Sequence, residues 1–285
     1  MNNIFDIKRF GLVFRKDLME NLKRYTLLFL TMFGIMAIII VSMSWNYCHT
    51  YENSSNYDYM LLNNRLLNFL SFAFLTGGLL FASTFMTPMN SKLKRISYLP
   101  DPSSNFEKFF TRWIIVTIGY ILAFFVAMWM ADALRVAVIT ARYPDLEIKF
   151  MDLTKLIYPR GDYTAYREGV MPKDVFTISL FVYFFSQSLY ILGSTFWEKS
   201  SFIKTFVAVL IINVVFINIC RLTMILFYEE GTSGFINVLN SFFSNSEIME
   251  KPPLFLLYTV LSVFTLTNWV LAFFRFRESE IIKRF

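Results

Sequence analysis

Met86–Trp113, MTPMNSKLKRISYLPDPSSNFEKFFTRW, is a basic, proline-punctuated stretch between two apolar runs. Each run is long enough to cross a bilayer. The stretch carries Lys92, Lys94, Arg95, Lys108 and Arg112 against only Asp101 and Glu107. Loops rich in Lys and Arg stay on the cytoplasmic side of a membrane, so the sequence places this one there. Leu99-Pro100-Asp101-Pro102 reads as a rigid extended piece, because proline fixes its own φ and disfavours helix at the residue before it. Ser104, followed three residues later by Glu107, is a capping-box pattern. It predicts a helix that starts there and runs toward Trp113. An elbow and a helix could form a socket for another protein. A plain connecting loop with snorkelling lysines fits the same residues.

Outward from this stretch the chain is apolar. Hydrophobic residues make up 56% of it, 34 of them Phe, and the mean hydropathy is +0.49. That exceeds an ordinary soluble domain. Six runs of spanning length are predicted, at 26–45, 66–86, 113–134, 175–196, 203–227 and 254–274. The fold class is therefore all-α: a polytopic membrane protein in which residues 1–285 form a single transmembrane domain. No cleavable signal sequence is read at the N-terminus. With both termini inside, 17 Lys and Arg lie on the inner side and 9 on the outer, with Arg221 inside a span. That bias predicts a multi-pass protein of the cytoplasmic (inner) membrane with both termini cytoplasmic.

Residues 1–25 are expected to hold an interfacial helix over 5–25. Phe10, Phe14, Leu18 and Leu22 recur every four residues, while Lys8, Arg9, Arg15, Lys16, Lys23 and Arg24 cover other faces. Such a helix lies at the headgroups, basic side toward lipid phosphate, or packs on a partner. Gly77-Gly78 in the second run is small enough to let helices approach closely. Residues 136–174 are read as an external loop with a short strand-like alternation at Leu146–Phe150. Residues 228–253 form a second external loop, and Phe235–Phe243 within it could dip back into the membrane.

Two intramembrane charges stand out, Asp132 and Arg221. Charge inside a span is costly and marks candidate functional positions. Both fall at similar depth in the outer leaflet, so they are candidates for an inter-helix pair, within one chain or across a dimer. Asp132 is also one turn from Arg135 and could pair locally; Arg221 could simply snorkel.

Soluble-enzyme chemistry is missing from the pattern. The sequence has no G-x-x-x-x-G-K-[ST], no H-E-x-x-H and no G-x-S-x-G, and its one histidine is His49. The paired Glu229-Glu230 lacks the nearby arginine and the further histidines that an intramembrane protease pattern needs. No catalytic residue, cofactor site or metal site is predicted, and the basic residues are accounted for by topology rather than by nucleic acid.

The chain resembles the permease subunits of ABC-2 type transporters. The local match is Arg95-Ile96-Ser97-Tyr98-Leu99-Pro100, then Ser104 and Glu107-Lys108-Phe109. It is similar to that family's hydrophobic-Pro…Ser…Glu-Lys/Phe stretch in the first cytosolic loop, and the wider likeness covers nearly the whole chain. The resemblance implies a type V exporter-like fold in which residues 86–112 are the cytosolic coupling loop. Tyr98, Leu99, Pro100, Ser104, Glu107 and Phe109 would then face an ABC ATPase subunit, and ATP would be bound by that partner. It also implies a second permease chain, in a homo- or heterodimer, and export across the membrane. The 136–174 loop is longer than this family leads one to expect. The alternative is a non-transporting polytopic scaffold or sensor.

Overall fold

The computed structural model describes residues 5–51, 59–87, 103–144, 146, 148–157, 172–197, 199–227 and 254–282. They form α1 (Ile7–Glu20), α2 (Leu22–Tyr51), α3 (Tyr59–Ala82), α4 (Asn105–Ile114), a π-helical segment (Ile115–Gly119), α5 (Tyr120–Arg142), the single turn α6 (Thr154–Ile157), α7 (Pro172–Phe196), α8 (Ser201–Phe227) and α9 (Leu254–Ile282). Among the described residues, six helical runs are long and apolar enough to cross a membrane: Leu22–Thr50, Tyr59–Ala82, Asn105–Arg142, Phe176–Phe196, Ser201–Thr223 and Leu257–Glu278. The six predicted spans each fall on one of these, so the described residues are those of a helical, multi-pass membrane protein.

The surface helix is shorter than the predicted 5–25. Asp6 caps α1, its Oδ1 accepting the N–H groups of Lys8 at 2.8 Å and Arg9 at 3.3 Å. The helix ends at Glu20, and Asn21 turns the chain into α2. Asn21 can do this because its side chain donates back to the Asp17 carbonyl at 3.0 Å.

Two larger apolar clusters hold the spans, beside a small one of Cys48, Ile139 and Tyr143. In the first, Met36, Ala37 and Ile40 of α2 meet Tyr120, Phe124, Ala127 and Ala131 of α5 and Leu62, Leu66 and Leu70 of α3. The alanines sit where α2 and α5 cross, since in lipid helices associate by close packing rather than by escaping water. The second gathers Ala82, Phe85, Phe109, Tyr190, Ala272 and Phe276 at the end of the bundle where α1 lies. α8 differs from the rest. Phe206, Leu210, Ile211, Val215, Phe216 and Leu222 are all exposed, so apolar side chains cover most of its circumference, as suits a helix bathed in lipid.

Gly77 and Gly78 let the neighbouring helices α5 and α7 pack closely on α3 through their tyrosine side chains. A Cβ at Gly77 would lie 2.6 Å from the Tyr120 hydroxyl, and one at Gly78 would lie 2.6 Å from Tyr183 Cε2. The pair opens slots for two tyrosine rings, and Tyr120 uses its slot to donate to the Phe74 carbonyl at 2.8 Å.

α4, the π segment and α5 form one continuous run of 38 residues, about 57 Å at 1.5 Å per residue. The hydrocarbon core is about 30 Å thick, so the run projects beyond it. A π turn releases a backbone carbonyl from the regular ladder. Here the buried Gln187 of α7 donates to the Val116 carbonyl at 3.4 Å.

Among the described residues there is no strand. Over the predicted Leu146–Phe150 strand, residues 148–150 are irregular. The Lys149 carbonyl and the Met151 N–H, which a strand would give to a neighbour, bond instead to Arg135 at 2.6 Å and Asp132 at 2.8 Å. The possible re-entrant segment of the 228–253 loop lies outside the described residues.

Candidate functional site: a clamp between α1 and α4

Ser104 and Glu107 form the capping box that the sequence predicts. Ser104 Oγ accepts the Glu107 N–H at 3.2 Å, and Glu107 Oε2 accepts the Ser104 N–H at 3.0 Å. One carboxylate is enough for more than its own cap. Glu107 Oε1 also accepts the Asp6 N–H at 2.8 Å and Arg9 Nη2 at 2.8 Å, and Oε2 accepts Arg9 Nε at 2.7 Å. Glu107 is fully buried beneath α1. The hydrogen bond to this carboxylate raises the Arg9 pKa above its already high ordinary value, so Arg9 stays cationic throughout the physiological range.

A second pair lies further along both helices. Asp17 Oδ1 meets Arg112 Nη2 at 2.7 Å, and both side chains are more than nine-tenths buried. The Tyr25 hydroxyl closes the group, donating to Asp17 Oδ2 at 3.1 Å and accepting from Arg112 Nη1 at 3.1 Å. Asn21 Nδ2 adds a bond to Asp17 Oδ1 at 3.2 Å. Buried charges are tolerated when paired and hydrogen-bonded on their remaining sides, and this trio meets that condition for Asp17.

Aromatic rings fill the space between the pairs. Phe5 and Phe10 of the N-terminal segment lie 6.4 and 5.6 Å from Phe110 of α4. Phe110 stacks on Trp113 at 5.9 Å, and Trp113 meets Trp269 of α9 edge-on at 5.0 Å. Arg24, at the start of α2, donates to Thr87 Oγ1 at 3.2 Å. Thr87 stands just before residues 88–102, and Ser104 stands just after them. Both flanks of that loop are thus tied to the N-terminal segment, one through Arg24 and the other through Asp6 and Arg9.

The predicted docking residues separate into three groups. Tyr98, Leu99 and Pro100 lie outside the described residues. Ser104 is half-buried and caps α4. Glu107 and Phe109 do not face outward, which corrects the expectation for them. Arg9 and the Asp6 amide draw the Glu107 carboxylate inward. Phe109 packs among Phe85, Phe273 and Phe276 at centroid distances of 5.1, 5.5 and 5.9 Å. Reading by periodicity missed Arg9, Asp17, Tyr25 and Arg112 as a site. One signal was present: Asp17 falls three residues after Phe14 and seven after Phe10, an acid on the apolar face of α1.

At the opposite end of the same long helix, Asp132 takes the local partner. Its Oδ1 meets Arg135 Nε at 2.7 Å, and both residues are buried. Oδ2 accepts the Met151 N–H, and Asp152 N–H donates to Asn63 Oδ1 of α3 at 3.0 Å. Arg221 is exposed on α8, so within one chain the Asp132–Arg221 pair does not form. Among the described residues no group of three His, Cys, Asp or Glu is placed to hold a metal ion. The chain matches no protein-family description, no curated protein and no solved structure.

Proposed function

We propose that this chain is the membrane-spanning permease subunit of an ATP-driven exporter, working with a separate ABC ATPase subunit and a second permease chain. The observation that carries the reading is the bracket around residues 88–102. The loop leaves α3 beside Arg24 and re-enters at Ser104, whose capping box shares its carboxylate with Arg9. A push on such a loop has two rigid outlets. One is α1, an amphipathic helix suited to the membrane surface. The other is α4, which continues without a break into the 38-residue run.

In this reading Tyr98, Leu99 and Pro100 form the face that meets the ATPase, which binds and hydrolyses ATP. Glu107 and Phe109 act behind that face, fixing α4 to α1 and to α9. Motion of the loop tilts α4, and the π turn at Ile115–Gly119 supplies a place where the rod can flex. The route between the two permease chains then opens outward.

The test is purification of the tagged chain from its own host in mild detergent, with co-purifying proteins identified by mass spectrometry. A stoichiometric partner with a phosphate-binding loop is expected. Leu99→Asp should lose that partner while the clamp and the spans remain folded. A chain that comes out alone, under conditions that keep a known ABC transporter intact, overturns the permease reading in favour of a scaffold or sensor.

A further inference from the structure

A groove of about 650 Å³ opens between α3, α5 and α7, walled by Leu67, Phe74, Phe124, Met128, Leu180 and Tyr183. That size is ordinary for a small-molecule site. Along α3 its lining runs from Asn64 to Leu75, about 16 Å at 1.5 Å per residue. This is half of a hydrocarbon core about 30 Å thick, the depth of one leaflet. Phe125 lies on its rim and is half exposed, so the groove is reached sideways from the lipid.

The polar end carries Lys155 of the single-turn α6. Lys155 is 6% exposed. Its ammonium touches Met60 Sδ and lies 5.7 Å from the centre of the Tyr59 ring. A thioether is a weak acceptor, and a ring face is not an anion. Among the described residues no carboxylate is paired with Lys155. The nearby Asp152 turns its Oδ1 to the backbone N–H and hydroxyl of Thr154. A buried cation is costly without a counter-charge, and among the described residues this one pairs with none; Lys155 lines one end of a mostly apolar slot whose wall also carries Asn64, Asn68, Ser71 and Ser179.

We infer that the groove holds one acyl chain of an anionic phospholipid from the surrounding bilayer, its phosphate paired with Lys155 and its second chain left in the membrane. The dimensions select an acyl chain, the lysine selects an acidic headgroup, and the lateral opening selects a lipid already in the leaflet. This site stands apart from the α1 clamp and needs no ATPase partner, so the loss of the permease reading would leave it intact.

The experiment titrates the purified full chain in mild detergent with dioleoyl phosphatidylglycerol and, separately, dioleoyl phosphatidylcholine, and reads bound lipid by native mass spectrometry. The wild-type chain should retain phosphatidylglycerol at least fivefold better. Lys155→Met should bring that ratio close to one, and Lys155→Arg should keep it. The ratio is internal to each preparation, so a partly unfolded fraction does not distort it. A wild-type ratio near one overturns the inference, and so does an unchanged preference in Lys155→Met. Palmitate displacing phosphatidylglycerol at equal concentration would also overturn it, by making the occupant a free fatty acid.

Discussion

The two ends of the Asn105–Arg142 helix carry buried ion pairs built on opposite plans. At the α1 end, Glu107 and Arg112 reach partners nearly a hundred residues away, Arg9 and Asp17. At the other end, Asp132 pairs with Arg135 three residues on. The long-range pairs join two helices side chain to side chain. The local pair spends its remaining capacity on backbone, holding the Lys149 carbonyl and the Met151 N–H. One end fastens two separate helices together. The other is a cast that fixes the path of a loop over α3 and α5. Under the permease reading proposed above, that asymmetry would hold one end of the helix firm and join the other to a separate part.

The comparison predicts where damage spreads. Arg135→Met would leave the buried Asp132 carboxylate without its countercharge and the Lys149 carbonyl without its donor. Breaking a buried pair on one side costs about 3–5 kcal/mol. Met151 packs on the α2–α5 cluster, so the loss should reach the spans. The expected result is a large drop in the unfolding temperature of the whole chain in mild detergent. If Arg135→Met melts with the wild type, the Asp132 end is not a fixed point and the comparison fails.

Arg112→Met attacks the other plan. Asp17 keeps two side-chain donors, Asn21 and Tyr25, so the cost should fall toward the low end of the about 3–5 kcal/mol that one-sided loss of a buried pair carries. It should also be local. α1 should detach, and trypsin should cut at Lys16, Lys23 and Arg24 several times faster, while the spans melt near the wild-type temperature. Protection of those three sites at the wild-type level would show that the Arg9–Glu107 pair and the Phe5, Phe10 and Phe110 rings hold α1 without Arg112.

The same contrast explains what the sequence made legible. Six spans could be read because each is a continuous apolar run, and lipid demands that pattern within one segment. The Asp132–Arg135 pair and the Ser104–Glu107 box could be read because both partners lie within one helical turn. The clamp could not, since no period in α1 reports on α4. Glu107 illustrates the limit. Its spacing from Ser104 announces the cap correctly but says nothing of Arg9, whose approach turns the same carboxylate away from solvent. Arg221 is the converse case. A charge in an apolar run invites a partner, but Arg221 lies exposed on α8 rather than against Asp132.

Ser104→Ala is the smallest and most discriminating change. It removes one acceptor, the hydroxyl that receives the Glu107 N–H. Loss of such a cap costs about 1 kcal/mol, which corresponds to roughly fivefold faster amide exchange in the first turn of α4. The Glu107 side chain loses nothing in this variant, because the Ser104 backbone N–H, the Asp6 N–H and Arg9 all still reach it. Hydrogen exchange should therefore rise at residues 105–108 and stay level in α1. Exchange that rises equally in both helices would mean that the cap and the clamp are one cooperative unit. In that case any load on residues 88–102 would loosen α1 and α4 together instead of moving them as a joined pair.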